Sequence, residues 1–186
     1  MIPAFDLSGV LPPFTGSSPT VSTDASPYQA TMVEVVDRFG ISPERLEILG
    51  GLLRYRADLR AAGLVAAFQW LDGSFVENIE ASESRSPNDI DVVTFYRRPV
   101  ADDQWTTWFR VNGQLFDHRF TKTTYMCDAY GVDLGIQPEK VVQHTTYWFG
   151  LFSHRRMSGL WKGMVQVQLD SADDADALAM LRRLTP

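Results

Sequence analysis

Asp89 and Asp91 stand two residues apart beside and within Ile90-Asp-Val-Val-Thr-Phe-Tyr96, a run with the make-up of a buried strand. At the strand period of two, both carboxylates project from one face. Two neighbouring carboxylates withdrawn from water are costly unless a cation neutralises them. The spacing therefore predicts a divalent-metal site. Oxygen ligands of this kind suit Mg²⁺ or Mn²⁺, which also accept phosphate oxygens. Gly73-Ser74 closes the preceding apolar run and suggests that the metal holds a phosphate. Glycine lets the backbone approach such a group closely, and the serine hydroxyl with nearby amides can bind it.

These side chains need strands to hold them. Leu64 to Leu71 reads as a strand leading into Gly73-Ser74, residues 89–96 as a second, Thr123 to Tyr130 as a third carrying Asp128, and Lys162 to Leu169 as a fourth. Asp133 competes with Asp128 as the acid of the third strand. Ser26-Pro27 carries the start signal of a short helix running to about Phe39 and closed by Gly40. Ser42-Pro43 starts a longer one with Leu46, Leu49, Leu52, Leu53 and Leu59 as its apolar stripe, ending at Gly63. Further helices are expected over 102–110, from Pro138 to about Phe152, and from a cap at Ser171 or Asp173 to Leu184. Residues 77–88 read as a polar loop. Residues 1–25, rich in Pro, Ser, Thr and Gly, form an extended arm, and 26–186 a single domain. The fold class is α/β (α+β), a small mixed sheet of four to five strands flanked by helices.

At 186 residues, 45% hydrophobic and 12% aromatic, the chain can bury a substantial core and is not of disordered composition. A net charge of -6 disfavours loose adhesion to nucleic acid or anionic membrane. Cys127 is the single cysteine, which excludes an intramolecular disulfide and a cysteine-based zinc site. With no signal-peptide pattern and no membrane-length apolar run, the expected location is the cytoplasm. His118, His144 and His154 show no zinc spacing and read as ordinary hydrogen-bonded histidines. His154-Arg155-Arg156 with Lys162 reads as a solvated basic loop, with phosphate binding as the alternative. Arg85 and Lys122 flank the acidic motifs and are candidates to neutralise phosphate. Trp105, Trp108, Trp148 and Trp161 read as core packing, with base stacking as the alternative. Cys127 points away from Asp128 and reads as packing.

The order of Gly73-Ser74, Asp89-Ile90-Asp91 and Cys127-Asp128-Ala129 resembles the polymerase-β-type nucleotidyltransferase superfamily. Met1-Ile-Pro-Ala-Phe-Asp6, Leu11-Pro-Pro13, Asp72-Gly-Ser-Phe75 and Pro87-Asn-Asp-Ile-Asp-Val-Val93 look like a small, uncharacterised bacterial family with a minimal nucleotidyltransferase domain. The resemblance implies that fold and a transfer of NMP from an NTP to an acceptor hydroxyl on RNA, protein or a small molecule. It implies Asp89, Asp91 and Asp128 as metal ligands and catalytic residues, with Asp128 also the general base. Gly73, Ser74, Arg85 and Lys122 would bind the nucleotide. It further implies a toxin–antitoxin or phage-defence setting and a possible protein partner. Fourteen residues, 75–88, separate Gly-Ser from the aspartates, and Glu77, Glu80 and Glu83 predict an acidic lining there. A catalytically degenerate binding or regulatory subunit is the competing reading. A glycosyltransferase would need a nucleotide-binding α/β half before the Asp-x-Asp, where this chain has an arm and two helices.

Overall fold

A computed structural model describes residues 1–185, the side chains of Ser22 and Ser171 excepted. Its elements run β1 (Tyr28–Ala30), α1 (Met32–Phe39), α2 (Pro43–Ala61), β2 (Ala67–Asp72), α3 (Ile79–Glu83), β3 (Ile90–Tyr96), α4 (Asp102–Asn112), α5 (His118–Tyr125), β4 (Cys127–Asp133), α6 (Pro138–Phe152), β5 (Val165–Gln168) and α7 (Ser171–Leu184). Five strands form one sheet in the order β1-β5-β2-β3-β4. β2 is antiparallel to both neighbours, while β1–β5 and β3–β4 are parallel. This is the expected mixed α/β architecture. No helix among the described residues is long and apolar enough to cross a membrane.

Strand alternation divides the core. Leu71, Ile90, Val92, Cys127, Ala129, Val165 and Val167 pack with α1, α2 and α7 on one face. Trp70, Val93, Phe95 and Val132 pack with Phe152 and Trp148 of α6 on the other. α2 is apolar on several sides because it lies against β4, α1, α5 and α7. At Gly51 a Cβ would collide with the Tyr125 carbonyl, so glycine lets α2 press onto the junction of α5 and β4. Fully buried Arg56 donates to Asp174, Gln69 and the Gln168 carbonyl, joining α2, α7 and the sheet. The arm packs through Ile2, Val10 and Leu11, all buried.

Several boundaries differ from the sequence reading. Ser26 caps no helix. Its hydroxyl accepts from the Met164 amide while Tyr28–Ala30 pairs with β5, so sheet pairing overrides the local start signal. The helix starts after Thr31, in a capping box with Glu34. Thr123 to Tyr125 belong to α5, capped by Asp117 and ended by Met126 in the left-handed region, so β4 begins only at Cys127. Residues 79–83 form α3 within the expected loop. Asp170 caps α7 in place of Asp173, which instead accepts from the Met32 amide; the other expected cap, the Ser171 side chain, lies outside the described set.

Candidate functional site

The register brings carboxylates from three strands into one row. Asp72, the last residue of β2, pairs with Asp91, and Asp91 pairs with Asp128. Paired residues on neighbouring strands share a face and lie about 5 Å apart. The row occupies one end of the face that α6 covers, followed along the strands by Trp70, Val93 and Tyr130. Asp89 sits one residue before β3, close enough to raise the proton affinity of Asp91. Gly73 adopts φ +83°, and a Cβ there would overlap Asp91 Oδ2. Its glycine is thus required by the approach of the backbone to Asp91, whether or not a phosphate is present.

Charge in the row is high. Burial, then Asp89 and Asp128, push Asp91 up to about 6. Burial pushes Asp72 up to about 7 against the pull of Lys162. Asp128 Oδ1 is buried without a hydrogen-bond donor, and Asp72 Oδ1 has only the Lys162 ammonium beside it. Two lysines pair with these acids directly, and the Arg156 charge also acts on Asp91. Lys122, on α5, bonds Asp89 at 2.5 Å and reaches Asp128 at 3.6 Å, and its bond to Asp89 raises its proton affinity. Lys162 is buried, 3.1 Å from Asp72 and 2.7 Å from Glu77. Burial opposes its charge, but the two acids outweigh that and hold the ammonium above its ordinary range.

The segment after Gly73 is held from beneath. Arg45 of α2, fully buried, donates to the carbonyls of Phe75 and Glu77 and to the Glu80 carboxylate. Glu77 also pairs with Arg155, and Glu83 with Arg155 and Arg85. The expected acidic lining is therefore neutralised residue by residue. Nor are Arg155 and Lys162 part of a solvated loop; they are internal partners of that segment.

Of the candidate residues, Gly73, Asp89, Asp91, Lys122 and Asp128 come together. Ser74 follows directly, opening a short 3₁₀ turn, Ser74–Val76. Arg85 is 45% exposed and engages Glu83 and the Ser86 carbonyl, apart from the carboxylate row. Asp133, at the far end of β4, bonds Arg98 and is no rival to Asp128. Cys127 is buried among the helices. Trp108 donates to the Ala62 carbonyl, Trp161 packs on Phe14, and Trp148 on Tyr130. Sequence reasoning did not assign Asp72, Lys162 or His118 to the site. His118 lies 3.6 Å from Asp128 and stacks on Tyr130. Asp72 adjoins the Gly-Ser motif and was visible in sequence; Lys162 was read only with the basic loop, phosphate binding its alternative, and His118 comes from a distant element.

As the side chains stand, no group of three or more His, Cys, Asp and Glu among the described residues gathers tightly enough to hold one ion. The profile of a family of unknown function matches residues 3–168. The chain belongs to that family, DUF6932. No curated protein and no solved structure matches it. The part shared with the family contains the whole carboxylate row, Gly73, Lys122 and Lys162, and stops before α7.

Proposed function

We propose that the chain is a metal-dependent nucleotidyltransferase that moves an NMP from an NTP to an acceptor hydroxyl. The acceptor would be an RNA, a protein or a small molecule, and the setting a cytoplasmic toxin–antitoxin or phage-defence system with a protein partner. The observation that carries this reading is the register of Asp91 and Asp128 across β3 and β4, with Asp89 at the strand mouth and Gly73 closed upon Asp91. Donor chemistry supports it. The set is oxygen-rich, and Asp128 retains a buried acceptor without a donor. Asp89, Asp91 and Asp128 would hold Mg²⁺ or Mn²⁺, which supplies charge neutralisation at the transferred phosphoryl group.

The protein's own groups do the rest. The Asp128 carboxylate accepts the proton of the acceptor hydroxyl. Ser74 donates its hydroxyl to a phosphate oxygen, and the backbone at Gly73 lets the triphosphate come close. Lys122, 52% exposed, turns from Asp89 to a phosphate oxygen. Arg85 serves the nucleotide only by leaving Glu83.

One observation favours a catalytically degenerate binding subunit: Lys122 already compensates Asp89 and Asp128. Incubation with each α-labelled NTP, Mg²⁺ or Mn²⁺, and total RNA or lysate separates the two. Label transfer lost in Asp89→Ala and Asp91→Ala is the expected result. Transfer that survives both substitutions contradicts the assigned site. No transfer, with no cation-dependent shift in melting temperature on adding NTP, selects the binding subunit.

A further inference from the structure

Beyond the carboxylates, β4 is the outer strand of the sheet and its free edge borders a hollow of about 410 Å³. That volume lies within the range of small-molecule sites, roughly 300–1,000 Å³. Aromatic side chains surround it. Phe109 and Phe116 stand on one side, Tyr147 and Trp148 with His144 on the other, and Tyr130 between them. Phe116, Tyr130 and Trp148 back onto the core, whereas Tyr147 is 62% and Phe109 44% exposed. Tyr130 and Trp148 centroids lie 4.6 Å apart, and Trp148 and Tyr147 5.0 Å, so the wall is continuous.

Tyr130 joins this hollow to the carboxylates. It follows Asp128 by two residues on the same face, about 7 Å along the strand. His118, 3.6 Å from Asp128, stacks on the Tyr130 ring with centroids 5.5 Å apart, so the two places share a wall. A ligand spanning both places needs phosphate oxygens at one end and a flat ring at the other. His144 and the Tyr147 hydroxyl can hydrogen-bond a polar ring edge.

We infer that the aromatic hollow beside β4 receives the base of the nucleotide whose phosphates lie at Asp89, Asp91 and Asp128. This rests on the proposed function for the phosphate end alone. Stacking tolerates every base, because each has a π-face, so the hollow favours a nucleotide over its phosphates without choosing strongly among bases.

Calorimetric titration of the full chain with ATP, GTP, CTP, UTP and inorganic tripolyphosphate, each with Mg²⁺, tests it. The variants are Tyr147→Ala and Phe109→Ala, both at exposed positions, with Asp91→Asn as the phosphate-end control. The nucleotides are expected to bind more tightly than tripolyphosphate. Each aromatic substitution should weaken them about tenfold and leave tripolyphosphate unchanged. Quenching of tryptophan fluorescence by the nucleotides, reduced in Trp148→Phe, would support the same placement. Nucleotide binding no tighter than tripolyphosphate, or indifferent to both aromatic substitutions, overturns the hollow as a base site. In that case a loss of tripolyphosphate binding in Asp91→Asn leaves the carboxylate assignment standing. If Asp91→Asn changes nothing while Tyr147→Ala weakens the nucleotides, the hollow stands and the carboxylate assignment falls.

Discussion

Asp91 stands between Asp72 and Asp128, and burial with the charges of Asp89 and Asp128 holds its carboxyl near 6. A folded-state value above the ordinary one, about 4, means that ionising the group weakens the fold. Its stabilising contribution is complete below about pH 4 and is lost as pH rises through about 6. In EDTA, wild type should therefore lose more thermal stability between about pH 5 and about pH 7.5 than Asp91→Asn, which should melt a few degrees higher at the upper pH. Equal pH slopes in differential scanning fluorimetry would contradict the crowded row. Gly73→Ala forces a side chain into Asp91 at a left-handed φ. It should cost about 1–3 kcal/mol in denaturant unfolding. The two aspartates and the glycine were legible because one segment and one turn carry them. Lys162 and His118 were not, since register and distant helices bring them in.

At the level of elements, the Gly-Ser turn owes its shape to α2. Arg45→Met would leave the Phe75 and Glu77 carbonyls without their donor, at about 1–3 kcal/mol each. Thermal unfolding should show that loss, and nucleotide binding should weaken with it because the turn is released. Thr31→Ala serves as a contrast. It removes a cap remote from the row, should cost about 1 kcal/mol, and should leave binding unchanged. Helices opened by Pro43 and Pro138 were readable from their first residues, because proline at the first turn acts locally. The Ser26-Pro27 signal misled because strand pairing with β5 decided that segment. Thr123 to Tyr125 misled because β-branched composition does not outweigh the Asp117 cap.

Over the whole molecule the two faces of the sheet are unequally covered. α1, α2 and α7 seal one face, whereas α6 buries only Phe152 on the other, where Asp89 and Asp128 stay 18% and 20% exposed. Alternation along the strands made a mixed sheet readable; which face would remain open depends on helix packing that no local pattern encodes. α7 lies beyond the span shared with the family, yet its Asp174 pairs with buried Arg56. Deleting residues 169–186 should therefore strand a buried guanidinium and abolish the cooperative unfolding transition seen by circular dichroism. Retention of that transition would mean that the sheet and α2 stand alone. The most direct test of the carboxylate row is Mn²⁺ binding by electron paramagnetic resonance near pH 7.5, comparing wild type with Asp91→Asn and Asp128→Asn. The row predicts bound Mn²⁺ in wild type, strengthened by NTP and lost in both variants. Equal Mn²⁺ binding by all three proteins would contradict it.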